Sequence, residues 1–483
     1  MNRFQYKAYS DHPWLVATGK KIFEEYLKTR NKKPPSRNIK KFERAFITTL
    51  TGLYLGGAFD PKGTAINILV NRNRYHGKSR YSPVFTPELL AAFKWMIEEG
   101  FLKLVDKHQQ VDDKWIPAAY RLTSKFIYYT PPRGPDGSID KEFDRGVKQS
   151  IVRNKVSPFV EVRDEEGVAR QRLPKSDEKD LTIKRLQAYD KRLSDHTFTV
   201  LGNVISPYVF SLTRIYKNNY ETGGRYYSHF QGKSSQYRLS IQIDGEYVAE
   251  VDYKSLHPLL LYQLVGATPP EDPYDTEGEF PRSVAKKAFQ ILINRTKAGP
   301  ATDSLRYWLN RHRAKKRKDP DDWKGYNIRV TNSWCERLES TLRERLAPIA
   351  HYYCQGVGLQ LQHYDSMLVS HVIDYFQVKA QSLVIPIHDS FLVKQRDLRH
   401  VFEALRYAEA NASREQGIAF REPQLEAEVI YETEVYQQQL QAEEVVRGTV
   451  KEEPTREDLL EEENHHQEDI NEQYLLDHDL EEE

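Results

Sequence analysis

Two aspartates at the ends of strand-like segments are the residues of this sequence best suited to metal-dependent chemistry. Asp252 ends a β-rich run that is joined to the run before it by Asp244-Gly245, a dipeptide that accepts the positive φ angles of a tight hairpin. Asp389 lies in a polar tip, His388-Asp389-Ser390, between two apolar runs, which predicts a strand, a turn and a strand. A single carboxylate in such a place is usually a helix cap. Two of them, each at the edge of an apolar strand, favour a shared pair of metal ions.

The chemistry that such a pair supports is phosphoryl transfer. Negative charge develops on the attacking and leaving oxygens, and two divalent ions ~4 Å apart stabilise both. Mg²⁺ prefers carboxylate, carbonyl and water oxygens. The predicted metal ligands are therefore Asp252, Asp389 and the carbonyl of Tyr253, with two Mg²⁺ ions as the cofactor and Mn²⁺ as the alternative.

A stripe of four polar residues follows the first aspartate. Pro281 fits the start of a helix, and the residues Arg282, Lys286, Gln290 and Asn294 are each four apart, so they lie along one helical face. Two cations and two amides there could bind a nucleoside triphosphate and its base. Arg282 would hold the γ-phosphate, and Lys286 would neutralise the triphosphate and protonate the pyrophosphate leaving group. The alternative is an amphipathic helix with a solvated face.

Three basic segments are candidates for nucleic-acid contacts. Arg225 follows two glycines that allow close backbone approach, so its guanidinium could grip a phosphate or a templating base. The segment 71–81 mixes cations with aromatic and amide residues, and its candidate contacts are Arg72, Arg74, Lys78 and Arg80. A cationic loop is predicted over 311–318, with candidates Arg313, Lys315 and Lys316. Each segment has a simpler reading as a solvated surface turn or loop.

The net charge of +1 hides an uneven distribution. From Glu443 to the last residue the chain carries 17 acidic and 3 basic residues, which leaves 68 basic and 53 acidic residues in 1–442, a net charge of +15 there. A basic body suggests a polyanionic partner, and the acidic tail has too few apolar residues to bury, so disorder is predicted. Two cysteines without zinc-ligand or disulfide-framework spacing and no apolar run of membrane-spanning length indicate a cytoplasmic protein without membrane contact.

The order of predicted elements divides the chain into four parts and indicates an α+β fold. Residues 1–130 read as two helices and a β-hairpin, the order of a small winged-helix-like DNA-binding domain, or alternatively a protein-docking module. A breaker cluster at 131–137 opens a linker and thumb-like helical region over 131–204. The two aspartates and the stripe lie in 205–431, and 432–483 is the mostly disordered acidic tail.

Three motifs, in this order, resemble the right-hand polymerase superfamily of family A DNA polymerases and single-subunit phage-type RNA polymerases. Asp252-Tyr253-Lys254-Ser255 is similar to the first palm motif, whose Asp binds the catalytic metal. Arg282-Ser283-Val284-Ala285-Lys286 is similar to the fingers helix that holds the incoming triphosphate, and His388-Asp389-Ser390-Phe391 to the second palm motif. Gly224-Arg225-Tyr226 resembles the template-proximal element before the palm. The resemblance covers roughly residues 205–431 and implies a palm and fingers core.

The chain also departs from that family in the residues near the nucleotide sugar. Where the DNA enzymes carry a Glu that excludes the ribose 2′-hydroxyl, this chain has His257, and where they carry a Tyr that abuts the sugar, it has Asn294. The Ser390 of the tip resembles the phage-type RNA polymerases more than the DNA enzymes. Weaker matches to family positions are Asp272, Tyr274, Gln362 and Asp365-Ser366. The resemblance leaves the choice between DNA and RNA synthesis open.

These observations predict a template-directed nucleotidyltransferase, a divergent and mobile-element-like member of the superfamily. Its partners would be a DNA template, nucleoside triphosphates, and origin or promoter DNA bound through residues 1–130. The favoured product is DNA, and the predicted class of DNA polymerase includes primase-like enzymes. The alternatives are a single-subunit DNA-directed RNA polymerase, a non-catalytic DNA-binding replication initiator, and a metal-dependent nuclease that uses the same two aspartates.

Overall fold

The structure is a computed structural model that describes residues 8–429 with gaps at 31–33, 35, 60–63, 69–85, 108, 112–113, 155–156, 166, 168, 171–172, 297–300, 317–329, 419–420, 422 and 424. The basic segment 71–81 and the acidic tail 432–483 lie outside the described residues. The predictions for Arg72, Arg74, Lys78 and Arg80 therefore have no structural counterpart.

Helices and strands are mixed along the described chain. The first elements are β1 (Ala8–Ser10), α1 (Pro13–Thr29), α2 (Ile39–Leu55), β2 (Ile66–Asn67), α3 (Pro87–Glu98), β3 (Leu102–Asp106), β4 (Gln109–Val111), β5 (Lys114–Ile116), β6 (Ala119–Leu122), α4 (Lys141–Gln149) and β7 (Ile151–Arg153). Then follow β8 (Val160–Arg163), α5 (Asp177–Ser194), β9 (Phe198–Val200), β10 (Asn203–Ile205), β11 (Thr213–Lys217), β12 (Gly223–Tyr227), α6 (Ser235–Leu239), β13 (Ile241–Ile243), β14 (Glu246–Tyr253) and α7 (Leu256–Leu264). The last are α8 (Arg282–Asn294), α9 (Thr302–Lys316), α10 (Asn332–Arg345), α11 (Gly358–Tyr375), β15 (Ile385–Ile387), β16 (Ser390–Lys394), α12 (Leu398–Gln416) and β17 (Leu425–Val429).

The N-terminal elements enclose a core of their own. Helix α2 packs against α1 and α3, and an antiparallel sheet has the strand order β2–β6–β3. Helix α3 begins as its sequence predicts, because Pro87 takes the first helical position and the Thr86 hydroxyl accepts the Leu89 N–H at 3.2 Å. The predicted pairing of 101–105 with 120–123 is present as β3 and β6. Aromatic rings fill much of this core: Phe23, Tyr26, Phe46, Phe93, Trp95 and Phe101.

A second and larger core surrounds a sheet built on β14. The strand order is β10–β9–β13–β14–β16–β15, and β17 also pairs with β14. The predicted hairpin joins β13 to β14, and Asp244 (φ 54°) and Gly245 (φ 82°) both take the positive φ angles that its two-residue turn requires. The pairing of β17 with β14 is antiparallel. Helix α11 packs against α8, α12 and β12, and α10 packs against α8 and α9.

Residues between the two cores tie them together. Strand β8 runs parallel to β11, and α5 contributes Leu186 and Tyr189 to the larger core. Strand β1, from the N-terminal part, pairs with β7. The Arg153 guanidinium at the end of β7 donates to Asp190 Oδ2 at 2.9 Å and to the Thr213 hydroxyl at 3.1 Å. The segment 131–204 therefore packs as part of both cores.

One local prediction needs correction. The cationic segment predicted as a loop over 311–318 is helical as far as Lys316, where α9 ends, so Arg313, Lys315 and Lys316 lie on a helix. Arg, Lys and Ala are strong helix formers, and no Gly or Pro interrupts them before Asp319-Pro320. Pro281 lies at the start of α8 as predicted, at the N-cap position directly before Arg282.

Two further features bear on the predicted environment. None of the described helices is long and apolar enough to cross a membrane. Cys335 and Cys354 are both buried free thiols.

Candidate active site

The two predicted aspartates lie on neighbouring strands at the same end of the large sheet. Asp252 is directly opposite Ser390 in the antiparallel ladder of β14 and β16, and Asp389 immediately precedes Ser390. The Tyr253 N–H approaches the Asp389 carbonyl at 3.4 Å, so the two segments remain in register where the strands end. Asp252 is exposed and Asp389 is half-buried. Both carboxylates are thus displayed at the edge of a buried sheet, as the sequence predicts.

The donors at this edge suit Mg²⁺ bound together with a substrate. Mg²⁺ is usually held by one or two carboxylates, waters and substrate phosphates instead of a dedicated protein cage. Asp252, Asp389 and the Tyr253 carbonyl match that pattern. Within the described residues, no cluster of three or more His, Cys, Asp or Glu side chains forms a preformed metal cage.

Ser390, the third residue of the polar tip, links strands β14 and β16 through a side-chain hydrogen bond. Its buried hydroxyl donates to Glu250 Oε1 at 2.7 Å. The Arg238 guanidinium donates two hydrogen bonds to the same carboxylate, from Nε to Oε2 at 3.0 Å and from Nη2 to Oε1 at 2.6 Å. The sequence reasoning missed Glu250 and Arg238, although strand alternation places Glu250 two residues before Asp252 on the same face. The Glu250 carboxylate, two residues before the exposed Asp252, is therefore hydrogen-bonded to both Arg238 and Ser390.

His388 shapes the turn that presents Asp389. Its φ of 54° is the left-handed conformation that lets two residues connect β15 to β16. Burial, with the charge of Arg225, lowers the pKa of His388 to about 4. Its Nδ1 is buried without a hydrogen-bond partner among the described residues, and its ring lies edge-on to Tyr227 at 6.0 Å. A neutral imidazole therefore sits behind the carboxylate at neutral pH.

The stripe on α8 divides into an exposed start and a packed end. At the start, Arg282 donates to both oxygens of Asp272, with Nε at 2.5 Å and Nη2 at 3.2 Å. Burial alone would raise the pKa of Asp272, but its hydrogen bond from Arg282 and the Tyr274 N–H lower it. Lys286 is exposed one turn later and adds positive charge near Asp272. The predicted triphosphate-binding cations are thus present on one accessible face.

Tyr274 connects the start of α8 to the aspartates. Its ring centroid lies 5.4 Å from the Arg282 guanidinium and packs edge-on to Phe289 at 5.8 Å. Its hydroxyl interacts with Ser255, three residues after Asp252. Burial, and the negative charge of Asp389, raise the pKa of Tyr274 well above its ordinary value. The buried Tyr274 side chain therefore contacts both the cationic start of α8 and the segment that follows Asp252.

The far end of the stripe packs against α11. The Asn294 side chain donates from Nδ2 to the Gln290 carbonyl at 2.9 Å. A Cβ added at Gly358, the first residue of α11, would lie 1.7 Å from Asn294 Oδ1. Only glycine leaves room for this amide, so Asn294 fills the junction between α8 and α11. Gln290 is half-buried beside it.

Arg225, predicted to bind nucleic acid, is buried in an ion pair. Its guanidinium lies 2.9 Å (Nε) and 2.7 Å (Nη2) from Asp365 Oδ2 on α11. His257, at the start of α7, places Nε2 3.4 Å from Arg225 Nη2 and 3.9 Å from Asp365 Oδ2. Burial alone would raise the pKa of Asp365, but Arg225 and His257 lower it, so the pair is ionised. One ring nitrogen of His257 is therefore close to both the cation and the anion of this buried pair.

Comparisons with known proteins add little. No family model matches the sequence, and no curated protein matches it. A solved structure to which the chain is similar is the POL domain of Pol1 from M. smegmatis in complex with DNA primer-template and dNTP. The similarity covers 50% of this chain and 50% of that chain, at 12% sequence identity and a TM-score of 0.27. The chain spans half the length of that structure, and a similarity of this size carries no argument about function.

Proposed function

We propose that this protein is a template-directed nucleotidyltransferase that synthesises DNA by phosphoryl transfer. The observation that carries the proposal is the contact of Tyr274 with both halves of the site. Its ring packs against Arg282 at the start of the cationic helix, and its hydroxyl interacts with Ser255 beside the paired aspartates. Carboxylates for metal ions and cations for a triphosphate are the two requirements of this chemistry.

The residues divide the work of the reaction. Asp252, Asp389 and the Tyr253 carbonyl would hold two Mg²⁺ ions, or Mn²⁺ in their place. When bound, these ions supply positive charge to the attacking and leaving oxygens. The side chains of α8 would bind the nucleotide, since Arg282 is an exposed guanidinium suited to a γ-phosphate and Lys286 a mobile ammonium suited to the leaving pyrophosphate.

Asp272 positions the Arg282 side chain through an ion pair. The Arg282 guanidinium donates to both Asp272 oxygens, and these bonds keep the cation beside Tyr274. An arriving triphosphate would compete with Asp272 for the same donors. Further along α8, Gln290 and Asn294 are half-buried, and Asn294 packs against Gly358 of α11, so their contribution to nucleotide binding would be to the sugar and base end.

Template binding would involve both cores. Arg225 is 9% exposed, so its contribution would come through the fixed position of His257 and strand β12. Arg313, Lys315 and Lys316 on α9 would line the path of the template. For the N-terminal core, three helices and a three-stranded sheet of order β2–β6–β3, with β2 between α2 and α3 in the chain, support a winged-helix-like module that binds origin or promoter DNA through 71–81. A polymerase that carries such a module suits replication of a small mobile or viral element.

The test is a polymerisation assay on primed and unprimed templates, with dNTPs and rNTPs in parallel and with Mg²⁺ or Mn²⁺. Wild-type protein should incorporate nucleotides in a template-dependent, metal-dependent manner. Asp252→Asn and Asp389→Asn should abolish incorporation and leave DNA binding largely intact, because each removes a charge that the ions need. Asp195→Asn, at an exposed aspartate that ends α5, is the matched control and should be fully active.

Three outcomes would contradict the proposal in different ways. Near-wild-type incorporation by either aspartate variant would remove the metal pair from the mechanism. DNA binding without incorporation of any nucleotide would indicate a non-catalytic initiator. Degradation of the template in the absence of nucleotides would indicate a nuclease.

A further inference from the structure

Helix α9 presents an exposed aromatic ring that the proposed reaction does not use. Asp303, Arg306, Tyr307 and Asn310 line an open depression of about 530 Å³ on one face of the helix. Tyr307 is 60% exposed there, while Leu305 and Leu309, on the opposite face, are fully buried. Large aromatic side chains usually bury most of their surface, so an exposed ring in a concave site indicates a binding surface.

The depression is close to the triphosphate-binding helix. Trp308, next to Tyr307, lies under the Lys287 ammonium at 4.5 Å, and Lys287 follows Lys286 on α8. Helices α8 and α10 both pack against α9 and fix its orientation. A ligand in the depression would therefore sit on a rigid helix adjoining the candidate active site.

The sequence next to Tyr307 is basic, which favours an anionic ligand, and its ring favours a ligand that has flat rings. Arg306 is beside it, and the sequence from Arg311 to Lys318 contains cations at every position except His312 and Ala314. Asp303 opposes this trend, with its Oδ1 3.7 Å from Arg306 Nη2 in an exposed pair. Proteins that bind single-stranded nucleic acid combine a positive groove with aromatic side chains on which bases stack.

We propose that Tyr307 is a stacking platform for an unpaired base of a DNA template strand, with Arg306 neutralising a phosphate of the same strand. This inference rests on the proposed function only in treating the bound strand as a template. The site itself is a site for single-stranded DNA. Stacking is independent of charge, so Tyr307 contributes affinity that depends on the presence of bases. Arg306 contributes affinity that depends on salt.

The experiment measures the binding of a fluorescently labelled single-stranded DNA by anisotropy, without nucleotides or divalent metal, over a range of salt concentrations. An oligonucleotide of equal length whose sugars lack bases provides the comparison. Tyr307→Ala should weaken binding of the base-containing strand about 5- to 100-fold and leave binding of the abasic strand unchanged. Tyr307→Trp should retain the preference for bases.

Two charge variants and one control sharpen the result. Arg306→Gln should weaken both strands and reduce the slope of log K against log salt by about 0.7. Asp303→Asn should tighten both. Tyr407→Ala is the matched control, because Tyr407 is an exposed tyrosine on α12, a helix with no proposed DNA contact, and it should change neither strand.

Several results would overturn the inference. Equal binding of the two strands by wild-type protein, or an unchanged preference in Tyr307→Ala, would exclude stacking on this ring. Equal weakening of duplex DNA by Tyr307→Ala would exclude a single-strand site. These results do not depend on catalysis: a polymerase whose Tyr307→Ala variant binds normally contradicts only this inference, and a base-dependent Tyr307 site in a protein that incorporates no nucleotide contradicts only the proposed function.

Discussion

The Asn294 amide and the Gly358 backbone are in a contact that leaves no room for a side chain at position 358. The position that a Cβ would take is 1.7 Å from Asn294 Oδ1. The same amide donates to the Gln290 carbonyl one turn earlier on α8. At this point of the fold, a polar side chain of α8 packs on a glycine of α11, the helix that carries Asp365.

This contact predicts that the effect of Gly358→Ala depends on Asn294. Alanine in place of glycine in a helix stabilises by up to about 1 kcal/mol when the site is open. In the wild-type background the new methyl group displaces the amide and breaks its hydrogen bond, which costs about 1 kcal/mol, so the gain is cancelled or reversed. In an Asn294→Ala background the gain should reappear. Chemical denaturation of the four proteins measures both effects, and an identical change in both backgrounds would rule out the contact.

Much of the site could be predicted because its residues sit in local patterns. Alternating apolar residues and an Asp-Gly turn place Asp252 at a strand end, and a four-residue spacing places Arg282 and Lys286 on one helical face. The Arg225–Asp365 pair has no such pattern, since the two residues are 140 positions apart and meet only when β12 packs on α11. The cationic segment of α9 was misjudged because charge density suggests a loop, whereas Lys and Arg favour helices.

The buried Arg225–Asp365 pair predicts a large penalty for removing one partner. Asp365→Asn would leave Arg225 charged and unpaired in a buried site, which typically costs about 3 to 5 kcal/mol. Replacing both residues, as Arg225→Met with Asp365→Leu, should cost much less than the single change. The exposed pair of Arg345 with Glu277, at 2.6 Å, provides the control. Glu277→Gln should change the free energy of unfolding by ~1 kcal/mol or less.

Denaturation of these variants by urea gives each free energy. A cost for Asp365→Asn as small as that of Glu277→Gln would show that the pair is not desolvated in the folded protein.

Asp244, at the hairpin turn beneath the sheet, predicts an acid-dependent contribution to stability. Burial alone would raise its pKa, but hydrogen bonds from Lys394, Thr197 and His196 lower it well below 3.8. A carboxyl whose pKa is lower in the folded than in the unfolded protein stabilises the fold above its unfolded pKa, and this stabilisation is lost as the pH falls through the folded pKa. Wild type should therefore be more stable than Asp244→Asn at pH 6, and the difference should shrink as the pH is lowered from about 4.

Thermal or urea unfolding of the two proteins in parallel at each pH isolates this group from the other carboxyls. A difference that stays constant between pH 6 and pH 3 would contradict the assignment.

The position of the His257 ring leads to a prediction about the sugar specificity of the proposed polymerase. Its Nε2 lies 3.4 Å from Arg225 Nη2 and 3.9 Å from Asp365 Oδ2, and these two contacts at one edge of the ring favour a single orientation. A fixed, bulky ring crowds a ribose 2′-hydroxyl, and we therefore expect DNA synthesis by the wild type. His257→Ala should raise the ratio of rNTP to dNTP incorporation by about tenfold or more. His371→Ala, which removes a histidine paired with Glu415 elsewhere on α11, is the control and should leave the ratio unchanged.

The opposite result identifies the opposite role for the same ring. If His257 hydrogen-bonds the 2′-hydroxyl, the wild type should use rNTPs efficiently, and His257→Ala should weaken their use by ~1 kcal/mol, roughly fivefold in kcat/KM. A steric gate and a hydrogen-bonding partner thus shift the ratio in opposite directions, and the sign of the shift decides between DNA and RNA as the product. Wild-type protein that incorporates rNTPs as efficiently as dNTPs would reject the gate before any variant is made.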